Sequence, residues 1–139
     1  MGAKIKGAGS SQIEIEGVKQ LKDVSYNIMS DRIEAGTFLC IAAMNHSNII
    51  VKNIDEDHII PIIDKLEEAG CELQIEDRQI QIKAPKKLKS VNIKTMPYPG
   101  FPTDMQSIFA TLLTTAKGSS IIVENIFENR YRHIPELVR

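Results

Sequence analysis

The residues best placed to do chemistry in this sequence lie in the run Pro97-Tyr98-Pro99-Gly100-Phe101-Pro102-Thr103-Asp104-Met105-Gln106. Pro97, Pro99 and Pro102 restrict the backbone and Gly100 permits a turn, so Asp104 is delivered to the start of a helix with little conformational freedom. A carboxylate held in this way can accept a proton from a hydroxyl as that hydroxyl attacks, a job that depends first on hydrogen-bond reach. The bland reading is that Thr103 or Asp104 caps the helix that follows. A second candidate is Phe127-Glu128-Asn129-Arg130-Tyr131-Arg132-His133, where two guanidiniums follow a strand end. Arginine forks suit phosphate and carboxylate oxygens, although such a run also serves as a solvated turn.

Other constellations are empty of chemistry. His46, His58 and His133 are far apart in sequence, and Cys40 and Cys71 lack a CxxC partner or a histidine at metal-ligand spacing, so they read as reduced structural thiols. Gly7-Ala8-Gly9 lacks the third glycine of a dinucleotide loop, and no P-loop lysine is present. The lysines between Lys83 and Lys94 have no interleaved aromatics and read as a solvated loop. No metal site and no cofactor motif emerges. With 17 basic and 18 acidic side chains the net charge is -1, which leaves no field to attract nucleic acid or an anionic membrane. No signal peptide and no membrane-length apolar run is visible, so a cytoplasmic protein is expected.

The elements that must position Asp104 follow from periodicity. At 139 residues, 42% hydrophobic and 25% charged, the chain has the size and composition of one folded domain. Ile13-Glu14-Ile15-Glu16 alternates as a half-buried strand does. Ser30 and Asp31 can cap a helix whose members Ile33, Phe38, Leu39, Ile41, Ala42 and Ala43 predict burial on most sides. Ile49-Ile50-Val51 reads as a strand, Asp57 as an N-cap, and residues 59–69 as an amphipathic helix ended by Gly70. Leu73, Ile75, Ile80 and Ile82 mark a hairpin turning at Glu76-Asp77-Arg78.

The pattern then repeats. The stretch from Ser47 to Ile54 matches that from Ser119 to Ile126 at a constant offset of 72 residues. Each copy reads as strand, buried helix, strand, amphipathic helix and strand pair, with His58-Ile59-Ile60-Pro61 and His133-Ile134-Pro135 opening the second helix of each. The second copy stops at Arg139 as its last helix begins, so the chain is expected to be a fragment of something longer.

Three segments in this order carry a resemblance. Asp31-Arg32-Ile33-Glu34-Ala35-Gly36-Thr37-Phe38, Pro99 to Gln106, and Ile126-Phe127-Glu128-Asn129-Arg130 with His133-Ile134-Pro135-Glu136-Leu137 resemble signatures of the enolpyruvyl transferases, in the branch that acts on UDP-N-acetylglucosamine. Ala3-Lys4-Ile5-Lys6-Gly7-Ala8-Gly9 resembles the segment closing the family's first domain. The resemblance implies an α/β (α+β) fold, an inside-out α/β barrel of repeated βαβαββ units, about two of which are present here. Residues 1–25 would then be the tail of the first domain and crossover, and residues 26–139 a partial second domain, with units at 26–90 and a truncated 91–139.

The resemblance also implies a reaction. Enolpyruvyl passes from phosphoenolpyruvate to the sugar 3'-hydroxyl and phosphate is released, the first committed step of bacterial peptidoglycan synthesis, with no metal and no cofactor. Asp104 corresponds to the residue proposed as general base, Ile126 to a position whose backbone contacts the UDP-sugar, Arg130 to an arginine near the cleft that would support closure or bind an anion, and Asp31 to a further cleft residue. The family's Lys-Asn pair, its loop cysteine and its phosphoenolpyruvate-gripping arginine have no counterpart here, and Cys40 and Cys71 do not replace that cysteine. The missing first domain is the implied physical partner, and the segment by itself is expected to release no phosphate. Two other readings stay open: a binding or scaffold module of the same fold, and a shikimate-pathway enolpyruvyl transferase.

Overall fold

The computed structural model describes residues 1–139. It opens with an arm in which β1 (Lys4–Lys6) and β2 (Glu14–Glu16) pair antiparallel, with Ile5 opposite Ile15. Gly7 makes the intervening turn possible, because its φ is +75° and a Cβ there would run into the Gln12 carbonyl oxygen. The half-burial expected of Ile13 to Glu16 is not found: Ile15 is 65% exposed. Two strands without a covering layer have no inside, so the alternation has nothing to bury against. Residues 17–31 form neither helix nor strand, so the strand expected to open the first repeat is missing; Lys22 N–H is instead bonded to the Met1 carbonyl.

The core begins with α1 (Arg32–Met44), capped by Asp31, whose Oδ1 accepts the Ile33 N–H at 2.7 Å. Its buried stripe is Ala35, Gly36, Leu39, Cys40, Ala42 and Ala43. Phe38 and Ile41, expected inside, are 50% and 48% exposed. The elements that α1 packs against lie on its small-residue face, and nothing in this chain covers the other.

From α1 the chain enters β3 (Asn48–Lys52), a 3-10 turn at Glu56–His58, and α2 (Ile60–Glu68). Ile59, Ile62, Ile63 and Leu66 are buried as the amphipathic pattern predicts. Asp57 does not cap this helix. The Ile59 N–H, one of the donors it would have satisfied, is already bonded to the Glu56 carbonyl at 3.0 Å within the 3-10 turn. Gly70 ends α2 at φ +101°, with Cys71 N–H reaching back to the Leu66 carbonyl. Then β4 (Glu72–Glu76) and β5 (Gln79–Lys83) form the expected hairpin, turning through Asp77 and Arg78, both at positive φ. The sheet order is β3-β5-β4, all antiparallel, and Ile80 and Ile82 on the central strand point into the core.

The second repeat comprises β6 (Ile93–Lys94), a 3-10 turn at Thr103–Met105, α3 (Gln106–Leu113), β7 (Ile122–Val123) and the short α4 (Ile134–Val138). Here β6 and β7 pair parallel over two residues. The helices α1 and α3 meet at the centre of the core, where Leu39, Phe109, Met105 and Leu112 are fully buried. Gly36 matters to the site: a Cβ there would come within 2.9 Å of Met105 Cε, so the glycine lets the residue next to Asp104 seat directly on α1.

Cys40 on α1 and Cys71 before β4 are both buried and unbridged. Burial pushes the Cys71 thiol up to about 11, and burial together with the neighbouring Cys71 pushes Cys40 further. Ellman's reagent at pH 8 is therefore expected to leave both thiols unmodified in the native protein and to titrate both in guanidinium. Prompt native labelling would mean that this side of the core opens readily.

Candidate active site around Asp104 and Arg130

The proline-rich run folds into a braced loop. Gly100 N–H bonds to the Pro97 carbonyl at 2.8 Å, Met96 N–H to the Phe101 carbonyl at 3.0 Å, and a Cβ on Gly100 would lie 2.5 Å from Met96 Cβ. Phe101 is buried edge-on against Phe109, with ring centroids 5.0 Å apart, which fastens the loop to α3. The chain then enters the 3-10 turn that carries Asp104.

Neither Thr103 nor Asp104 caps α3, contrary to the bland reading. The first donors of the turn are met by main-chain carbonyls: Met105 N–H bonds to Pro102 and Gln106 N–H to Thr103. Both side chains are thereby released for other partners. The Thr103 hydroxyl donates to Glu124 Oε2 at 2.9 Å, and Asp104 Oδ1 accepts from Arg130 Nη2 at 2.6 Å. The guanidinium of Arg130 lies 5.0 Å from the Phe127 ring centroid. With Asp104 more than half exposed, this ion pair orients the carboxylate more than it stabilises the fold.

Two hollows flank the pair. One, of about 690 Å³, is lined by Ser30, Asp31, Arg32, His58, Tyr98 and Asp104, with the Arg32 guanidinium 5.2 Å from the Tyr98 ring centroid. The other, of about 460 Å³, is lined by Ser107, Asn129, Arg130, Arg132 and His133 together with Phe127 and Glu128. The structure thus brings Asp31 and Asp104 to one hollow and joins Arg130 to Asp104 from the other. Asp31 combines this place with its capping bond to Ile33. Ile126 lines neither hollow, and its N–H is already donated to Glu124 Oε1 at 2.8 Å, which leaves the carbonyl for any ligand.

A family profile described as EPSP synthase (3-phosphoshikimate 1-carboxyvinyltransferase) matches residues 1–139. The chain belongs to this family. It is 50% identical over all of its length to the UDP-N-acetylglucosamine 1-carboxyvinyltransferase of Geotalea daltonii and 50% identical to UDP-N-acetylglucosamine 1-carboxyvinyltransferase 1 of Caldanaerobacter subterraneus. It spans about a third of these relatives, 33% and 34% of their lengths. Among solved structures it is similar to the enolpyruvyl transferase NikO of Streptomyces tendae, with a TM-score of 0.81 and 25% identity over 99% of this chain and 33% of that one. The α/β fold expected from the repeated units is therefore the enolpyruvyl-transferase fold.

One functional group escaped the sequence reading. Glu124 of this enolpyruvyl-transferase segment accepts hydrogen bonds from the Thr95 and Thr103 hydroxyls and from the Ile126 and Phe127 amides. The signal was present in the repeat: Lys52 in the first copy is aligned with Glu124 in the second, a reversal of charge inside an otherwise matching strand end. Partial burial works to raise the Glu124 pKa, but the Ile126 amide, the two hydroxyls and the Phe127 amide outweigh it and hold the carboxyl below its ordinary 4.5.

In the window between the folded value and 4.5 the unfolded chain binds more protons than the native one. This stabilisation is complete above the unfolded value and disappears as pH falls through the folded one. Urea midpoints measured from pH 6 downward are expected to drop more steeply for the wild type than for Glu124→Gln; equal slopes would remove Glu124 as the cause.

Proposed function

We propose that this segment supplies one wall of the active site of a bacterial enolpyruvyl transferase acting on UDP-N-acetylglucosamine. Asp104 accepts the proton of the sugar 3'-hydroxyl as its oxygen adds to C2 of phosphoenolpyruvate. C3 gains a proton in this addition; the tetrahedral adduct then gives a proton back from C3 as its C2–O bond to phosphate breaks, which restores the C=C bond and releases inorganic phosphate. Asp104 has one oxygen engaged by Arg130, which fixes the carboxylate plane, and it borders the hollow shared with Asp31. The Ile126 carbonyl contacts the nucleotide sugar, and the guanidiniums of Arg130 and Arg132 supply positive charge toward the anionic substrates.

The observation that carries this reading is the carboxylate of Asp104, oriented by Arg130 at the edge of a hollow, in a chain half identical along its whole length to proteins named for this activity. In the same reading residues 1–25 belong to the tail of the first domain, residues 26–139 to the second, and the opposite wall comes from that first domain. Its place is the cytoplasm, at the entry to peptidoglycan synthesis.

The test is phosphate release by a complete transferase carrying this segment, supplied with phosphoenolpyruvate and either UDP-N-acetylglucosamine or 3-phosphoshikimate. Turnover with the nucleotide sugar alone is expected. Turnover with 3-phosphoshikimate alone would transfer the site to the other acceptor named by the family profile. In amide chemical-shift titrations, saturable changes with UDP-N-acetylglucosamine should cluster at Asp104 and Ile126.

A further inference from the structure

We propose that Glu124 is the positioning residue of this site: its carboxylate ties the turn at Ile126 and Phe127 to Thr103, and so holds Asp104 in a fixed relation to the Ile126 backbone. The inference rests on the functional reading above and adds to it the group that sets its geometry. Three chain segments converge here, the exit of β6 at Thr95, the entry to α3 at Thr103, and the exit of β7 at residues 124–127. The β6–β7 ladder is two residues long and cannot by itself fix loops beyond it. Side chains take over that task.

Oε1 of Glu124 accepts the Thr95 hydroxyl at 2.8 Å, the Ile126 N–H at 2.8 Å and the Phe127 N–H at 3.2 Å, while Oε2 accepts the Thr103 hydroxyl at 2.9 Å. Thr95 is fully buried, and its hydroxyl oxygen in turn accepts the Asn125 N–H at 2.8 Å, so its proton is committed to Glu124. From the far side Tyr131 clamps the same turn, its hydroxyl accepting the Glu124 N–H and donating to the Ile122 carbonyl. Each partner of the carboxylate donates to it, and the Thr95 proton and the two backbone amides require an acceptor at Oε1. A glutamine could keep its carbonyl oxygen toward these three groups and turn its NH₂ to the Thr103 hydroxyl, which would then accept, so only removal of the whole head group breaks the tie. The fold unit itself does not need this group: at the matching place in the first repeat Lys52 is exposed and β3 forms a longer strand.

Asp104 follows Thr103 directly, and its other restraint is Arg130. Releasing Thr103 leaves the base tethered on one side only, and displacement of a reacting group by about 1 Å costs on the order of 100-fold in rate.

The experiment is a double-mutant cycle in a complete transferase carrying this segment, reading kcat and KM separately. Glu124→Ala is expected to lower kcat by about 100-fold with a much smaller change in KM for the nucleotide sugar, and to add almost nothing in an Asp104→Asn background. An equal further loss in that background, or an unchanged kcat, would overturn the proposal. Thr103→Val removes only the Oε2 link and covers the case in which the alanine variant does not fold; its kcat should fall, and Thr103→Ser should recover it.

If the wild type turns over neither acceptor, the functional reading fails separately, and amide spectra of the same proteins decide the positioning role. Glu124→Ala must then shift the Ile126, Phe127 and Asp104 amides while β4 and β5 stay in place. An unmoved Asp104 amide would overturn it.

Discussion

Asp104→Asn is expected to lower kcat for phosphate release by about 10²- to 10⁴-fold in a complete transferase carrying this segment, with KM for UDP-N-acetylglucosamine changed only a few-fold. The asparagine carbonyl oxygen can still accept from Arg130 Nη2, which now reaches Asp104 Oδ1 at 2.6 Å, so the loop keeps its conformation. What the amide lacks is the basicity to take the 3'-hydroxyl proton as the new C–O bond forms. Because Asp104 is more than half exposed, the variant should melt within about 1 kcal/mol of the wild type, which separates a catalytic defect from a folding one. Steady-state phosphate release checks the first half and urea denaturation the second. A kcat within about three-fold of wild type would remove Asp104 as the base, since general-base catalysis contributes far more than that.

The largest loss of stability is expected from Phe109→Ala, about 3–5 kcal/mol, a substantial part of what a domain of this size possesses. Phe109 has no exposed surface, meets Phe101 edge-on at 5.0 Å, and lies in the same core cluster as Leu39 and Met105 where α1 meets α3. Truncation leaves a cavity between two helices that the surrounding aliphatic side chains fill only in part. The effect should also reach the site. Phe101 anchors the proline-rich loop through this contact, so at temperatures where the variant is still folded the Asp104 and Tyr98 amides should already be shifted. Urea unfolding followed by circular dichroism reads the stability term. A loss below about 1 kcal/mol would mean that the core does not centre on the α1–α3 contact.

The features legible in the sequence share a short physical range. The Asp31 cap, the Gly70 terminus of α2, the buried face of Ile59, Ile62, Ile63 and Leu66, and the hairpin turning at Asp77 and Arg78 are each governed by residues within about two helical turns or one tight turn. Asp57 and the expected cap at Thr103 or Asp104 failed for a related reason. A 3-10 turn precedes both helices and satisfies the first donors from the main chain, and residue type alone does not distinguish that geometry from a side-chain cap. The repeat was legible because its copies share a pattern. Its opening strand was not, because a strand forms only where a neighbouring edge accepts it.

The sequence by itself determined the repeated α/β pattern, the rigid delivery of Asp104, and the family to which the order of its motifs belongs. Tertiary structure alone decided which apolar residues are covered: Phe38, Ile41 and Ile15 match buried ones in type but face no packed layer in this chain. It also decided what Asp104 and Thr103 bind. Arg130 lies 26 residues from Asp104, and Glu124 lies 21 from Thr103 and 29 from Thr95. No local periodicity relates positions so far apart. Their meeting depends on the packing of α3 against α1 and on the short parallel ladder that returns β7 beside β6. Hydrogen bonds between side chains act only over a few ångströms, so partners are settled by where the backbone places them after the core has formed.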